Sequence, residues 1–279
     1  MAAVLMLMTM FTSCSDDKDE EVFKFEEQTY SAWSKVAFAY GSMYDAEETI
    51  KVSQKQLSFH SDTWGDGSFV INDFKYDNDG NYYLTGEGTL TMAGHGSNKD
   101  YAATLTGTIS KNTQTFTITI PSVMGGTVLN IVAGDIPLAA AIDGSYTGGT
   151  YANYQYFQHY QPTKDEKVTI KANNDLTAAS LSYTSATWGE FTFDNITVSK
   201  NENGSYVLKG EGKTIMSNMK GGTNEYVSTF EGSITNKTLV ATFAVPSVMG
   251  GTTVYFNASD FDEIFEASNT NAEGGETQK

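Results

Sequence analysis

The chain has 279 residues, room for two domains of ordinary size, and its 34 acidic against 17 basic residues give a formal charge of -17. Nothing in that balance would neutralise phosphates, so nucleic acid is excluded as an expected partner. Hydrophobic residues make up 39 % and aromatics 13 %, with 26 glycines and one cysteine. This points to an all-β class and excludes an internal disulfide framework or a multi-thiolate metal site.

In chain order, Met1 to Phe11 is apolar and short, and Thr12, Ser13 and Cys14 follow. An apolar run of this length closed by small residues reads as a secretory signal over 1–13. Cys14 stands where a lipobox places the cysteine that is acylated, with Phe11 in place of the usual leucine. No Lys or Arg precedes it, which suggests a start upstream of Met1. Ser15 to Glu21 then forms an acidic run too polar to fold, so 14–21 reads as a solvated tether. This run resembles the Ser-plus-acidic cluster behind the lipidated cysteine of surface-exposed lipoproteins in Bacteroides-type bacteria. The resemblance implies an outer-membrane address facing the exterior, held by acyl chains that contribute about 0.8 kcal/mol per buried CH2. Beyond residue 14, no apolar run approaches the roughly 20 residues a spanning helix needs.

The rest of the chain is written twice. Pro121 to Thr127 reads PSVMGGT, and so does Pro246 to Thr252. Each copy lies between two alternating apolar runs, which predicts strand, reversal, strand. Proline cannot donate to a ladder, and Gly-Gly permits the positive φ of a tight reversal. Trp64-Gly65 matches Trp188-Gly189, and Gly86-Glu87-Gly88 matches Gly210-Glu211-Gly212, at one offset. Tyr101, Gly107 and Ile109 match Tyr226, Gly232 and Ile234 one residue further on. Two units near 22–135 and 136–265 are expected, with an acidic, disordered tail over 266–279.

Within each unit the period is 2. Phe116, Ile118 and Ile120 share a face opposite threonines, as do Ala241, Phe243 and Val245. Asn78-Asp79-Gly80 and Glu202-Asn203-Gly204 sit between such runs as hairpin turns. This alternation predicts an antiparallel meander with one buried face. Glycines on that inward face (Gly86, Gly88, Gly107) let a sheet bend enough to close, which also removes exposed edges. The expectation is all-β, with two tandem meandering barrels. Pro137 to Ile142 joins them, with room for one helical turn.

Each unit opens on a tyrosine-bearing strand (Tyr30, Tyr146), runs through a long meander to a Gly-x-Ile strand, and ends on the MGGT hairpin. In this the chain is similar to the calycin-like β-barrel lipoproteins of Bacteroidetes, a family distantly lipocalin-like in pattern. The resemblance implies about eight strands per barrel and ligands that are largely undefined.

For chemistry the sequence offers little. His60, His95 and His159 are scattered singly and do not recur between the units. No catalytic set, cofactor motif or metal set is expected, and the protein reads as a non-enzyme. Glu87 and Glu211 recur but face away from the apolar set, as outward strand charges do. The candidate ligand contacts are aromatic. Trp64 and Trp188 suit a stacking platform or a plug closing a barrel end. Tyr154, Tyr156 and Tyr160 share one strand face and suit carbohydrate or peptide contact, or plain barrel wall. The function expected is a surface-exposed, lipid-anchored binding module for glycan, peptide or small molecule. A lipocalin-like carrier of an apolar ligand and a structural or adhesive envelope subunit are the alternatives.

Overall fold

The computed structural model describes residues 25–93, 98–155, 157–218 and 220–258. The signal read over 1–13, Cys14 with its tether, Tyr156 and the tail from 266 lie outside the described residues, and of Tyr160 only the backbone is described.

Eight antiparallel strands make the first barrel: β1 (Gln28–Phe38), β2 (Gly41–Val52), β3 (Gln56–Ser61), β4 (Gly65–Tyr76), β5 (Tyr82–Ala93), β6 (Asn98–Ile109), β7 (Gln114–Ile120) and β8 (Thr127–Ala133). Each pairs with the next, and β8 closes on β1 through Trp33 opposite Val132 and Val36 opposite Leu129. One helical turn, α1 (Leu138–Ala141), lies in the connection. The second barrel repeats the plan: β9 (Gly144–Tyr154), β10 (Phe157–Ala172), β11 (Ala179–Ser185), β12 (Gly189–Lys200), β13 (Tyr206–Ser217), β14 (Thr223–Thr235), β15 (Thr238–Val245) and β16 (Thr252–Asn257). It closes through β16 on β9, where Tyr255 opposes and stacks on Tyr151. The all-β, two-barrel architecture expected from the alternation is the one found.

The reason is visible strand by strand. Phe116, Ile118 and Ile120 are buried while the threonines between them are half-exposed, and Leu239, Ala241, Phe243 and Val245 repeat this in β15. Each barrel therefore has its own core. That of the second is a run of rings: Phe243 lies 5.1 to 6.0 Å from Phe191, Tyr183, Phe230 and Phe193. Fully burying one such side chain contributes about 1.5–3 kcal/mol.

The two MGGT reversals agree bond for bond. Gly126 donates to the Val123 carbonyl and Gly251 to that of Val248, and Thr127 and Thr252 cap the same carbonyls with their hydroxyls. The glycine pairs take positive φ as expected, and Met124 and Met249 join them at φ 47 and 51. Inward glycine has a steric cause where two strands cross closely. A Cβ on Gly88 would lie 1.9 Å from the Ser68 carbonyl oxygen, and one on its counterpart Gly212 would lie 2.2 Å from that of Thr192.

Strand direction gives each barrel two unlike ends. In the first, the end where β1 begins is plugged by rings: Phe25 packs on Phe74 at 5.1 Å and on Tyr82 at 5.0 Å, and Tyr76 packs on Tyr82 at 5.1 Å. In the second, the corresponding end is closed by Ile142, whose carbonyl accepts from the Tyr146 hydroxyl at 2.8 Å. The connection through α1 leaves the first barrel and enters the second at these plugged ends. The opposite ends carry the β1–β2, β3–β4 and MGGT turns and their equivalents.

Candidate functional site

The unplugged end of the first barrel turns polar below its turns. In β2, Glu47 takes a left-handed φ of 62 and the register against β1 slips between Ala32 and Ser34. Alternation back from the buried Val52 and Ile50 puts Glu48 inside but would put Asp45 outside. The bulge inserts a residue and turns Asp45 inward too, leaving Ala46 and Glu47 between them on the outer face. Glu48 is 1 % and Asp45 6 % exposed.

Their partners come from β1 and the β3–β4 turn. Ser34 Oγ donates to Glu48 Oε1 at 2.5 Å. Ser61 Oγ donates to Asp45 Oδ2 at 2.8 Å, and Thr63 Oγ1 to Asp45 Oδ1 at 3.1 Å. The same Ser61 oxygen accepts the backbone N–H groups of Thr63 and Trp64, so it both tightens the turn and holds the carboxylate. Burial pushes the Glu48 carboxyl up to about 8, against the Ser34 hydrogen bond and with the neighbouring Asp45 charge. Glu48 is thus protonated at neutral pH. Glu48 Oε2 and the buried Trp64 indole Nε1 have no hydrogen-bond partner among the described residues. Two donors stand ready for an acceptor oxygen.

The second barrel builds the same end from a different sequence. Asp165 has φ 59, and Glu166 follows it inward opposite Gly148, as Glu48 lies opposite Ala32. Ser185 Oγ donates to Glu166 Oε1 at 2.9 Å and accepts from the Thr187 and Trp188 amides. Here Trp188 Nε1 is satisfied, donating to Thr150 Oγ1 at 2.9 Å, and Thr150 bonds Thr163 at 2.5 Å. Thr150 occupies the place of Ser34, and Thr163 that of Asp45. Burial, aided by Glu166, keeps the Tyr183 phenol protonated, and the buried hydroxyls of Thr214 and Ser228 have no partner among the described residues.

The model of the calycin-like β-barrel domain matches residues 43–133 and 142–258. The chain belongs to this family. In structure, the paired calycin-like barrels resemble a crystal structure from Bacteroides fragilis NCTC 9343 of a protein provisionally described as an outer membrane protein. The TM-score is 0.61 at 19 % identity, over 84 % of this chain and 97 % of that one. No curated protein matches the sequence.

The calycin-like barrels place the sequence-derived candidates as follows. Trp64 and Trp188 are buried, each just behind a Ser-x-Thr-Trp-Gly turn at an unplugged end. A ligand would reach either only by entering the barrel mouth. Tyr154 ends β9 at the same end of the second barrel, in ring contact with the exposed Phe157 at 5.2 Å, and Tyr160 lies on β10, so a hairpin divides the stretch expected to set Tyr154, Tyr156 and Tyr160 on one strand face. Tyr154 and Trp188 are therefore brought to one mouth, and Trp64 to the mouth of the other barrel. Glu87 and Glu211 face outward, each in its own barrel. No group of three or more metal-ligating side chains occurs among the described residues.

Sequence reasoning missed Glu48, Glu166, Ser61 and Ser185. A signal was present for the serines, since Ser61-Asp62-Thr63-Trp64-Gly65 and Ser185-Ala186-Thr187-Trp188-Gly189 share four of five residues. The glutamates keep the phase of the buried Ile50 and Val52 or Val168 and Ile170; it is Asp45, on the far side of the bulge, that period 2 would have sent outward.

Proposed function

We propose that this calycin-like protein is a non-enzymatic binding module of the cell envelope. It is carried at the outer membrane by acyl chains on Cys14, faces the exterior, and receives its ligand at the unplugged barrel mouths. One observation carries the reading: a Glu, Ser and Trp set stands at the same end of both barrels, buried in the first and with Glu166 half-buried in the second, and in the first Glu48 Oε2 and Trp64 Nε1 have no partner among the described residues. Buried polar groups are rarely left so without a ligand or water to meet them. The ligand class that fits is a small molecule, glycan or peptide offering a carbonyl, ether or hydroxyl oxygen. An apolar cargo fits less well, because the aromatic rings of the second barrel fill its interior. The Bacteroides fragilis structure supports the outer-membrane address, and the acidic run behind Cys14 supports exposure.

Mouth binding is tested by calorimetry of the intact protein against a glycan and peptide panel, beside its Glu48→Gln and Trp188→Phe forms. Binding that both variants leave unchanged would rule the mouths out. For the address, Cys14→Ala is expected to move the protein from the membrane to the soluble fraction. Protease added to intact cells is expected to remove the native form; protection would overturn the outward orientation.

A further inference from the structure

A cleft of about 590 Å³ lies outside both barrels, against the connection between them. Its volume is in the range of small-molecule sites, which favour domain interfaces. The outer face of β1 and β2 supplies Trp33, Glu47 and Thr49, the connection supplies Asp135, and the plugged end of the second barrel supplies Lys200 and Tyr206.

Trp33 is the telling residue. Alternation on β1 sends it outward between the exposed Ser31 and Lys35, yet it is only 9 % exposed. Its place in the second barrel falls to Gly149, because Gly148 and Thr150 hold the positions of Ala32 and Ser34. A side chain demanded by the barrel itself would recur in both copies, as Trp64 and Trp188 do. Trp33 does not recur, and it lines the cleft. Beside it, the β2 bulge leaves Glu47 on the outer face at φ 62. Among the described residues neither Glu47 nor Asp135 forms an ion pair, and Lys200 lies over the Tyr206 ring at 5.4 Å.

This set selects its ligand by elimination. Two carboxylates oppose an anion, and the Tyr206 face is already occupied by a cation. What remains matched is a neutral ring with an apolar C–H face and several hydroxyls. The part of the Trp33 indole left exposed beside Tyr44 covers the first, carboxylates accept from the second, and an ammonium donates to them. We propose that the cleft binds a neutral saccharide of one or two units, resting on the exposed part of Trp33, with Glu47 and Asp135 accepting from its hydroxyls and Lys200 donating to them. The proposal rests on the binding-module reading but uses other side chains than the barrel mouths, although Glu48 borders the cleft as well.

The test is titration of the full-length protein with glucose, galactose, N-acetylglucosamine, maltose, lactose and cellobiose, followed by calorimetry and tryptophan fluorescence. At least one sugar is expected to bind and to change the emission, and Trp33→Phe is expected to abolish the emission change. Glu47→Gln and Lys200→Ala are each expected to weaken binding by about tenfold or more. Both are exposed, so they carry the test even if Trp33→Phe loosens the protein. Trp64→Phe and Trp188→Phe, at residues that do not border the cleft, should bind as wild type. The proposal falls if none of the six sugars binds, or if binding survives Glu47→Gln and Lys200→Ala unchanged. Sugar binding lost only in Trp64→Phe or Trp188→Phe would also overturn it and place the sugar at a mouth instead.

Discussion

Burial of Glu48 beside Asp45 holds a proton on a group that in the unfolded chain ionises near 4.5. Between that pH and about 8 the folded protein binds a proton that the unfolded chain has lost. Stability is therefore highest below the lower value, falls as pH rises, and has lost this contribution above the upper one. At about 1.4 kcal/mol per unit the swing is on the order of a few kcal/mol. Urea unfolding between pH 5 and 9 should show this slope, and Glu48→Gln should flatten it and exceed wild type at pH 9. An unchanged slope in the variant would mean that Glu48 is not the titrating group. Ser185 tests the neighbouring element of the set. Ser185→Ala removes a partner from Glu166 and an acceptor from two amides, and is expected to cost about 1–3 kcal/mol in chemical denaturation. Ser61→Ala should cost more, because the carboxylate it strands, Asp45, is the more deeply buried.

Among the elements, the turns behind the two tryptophans are the least tolerant of change. Gly65 and Gly189 have φ 86 and 90, and a Cβ on either would lie 2.0 or 2.1 Å from the carbonyl oxygen of Thr91 or Ile215. Gly80 has nearly the same φ, 87, but open space around it. The pair separates backbone strain from collision. Gly80→Ala is expected to cost about 1–2 kcal/mol, the left-handed penalty alone. Gly65→Ala adds the clash and should cost more than about 4 kcal/mol or prevent folding. Equal shifts in melting temperature would show that the strands separate freely to admit the methyl group. The β2 and β10 bulges belong to the same scale. Each places one strained acidic residue, Glu47 or Asp165, where the strand changes phase, so that Asp45 joins Glu48, and Thr163 joins Glu166, on one face.

For the whole molecule, each barrel closes on itself and each core is a separate cluster, so no strand is shared. Residues 25–136 and 137–258 expressed apart are each expected to give a β-rich circular dichroism spectrum and a cooperative melt. A half that stays unfolded would show that the second barrel is needed to complete the first. The sequence alone determined the class, the duplication, the turns and the inward face of most strands. Those follow from period 2, from glycine where φ must be positive, and from proline where a ladder must stop, all of which act over a few residues. It also placed Trp64, Trp188 and Tyr154 among the candidates. Only the tertiary structure decided that they lie at the ends opposite the plugs, that Asp45 turns inward to join Glu48 there, and that Trp33 meets Lys200 and Tyr206 across a cleft. A bulge shifts the phase of a strand without altering its composition, and a cleft joins residues more than a hundred positions apart in the chain. No local pattern carries either, because both exist only once the strands have closed.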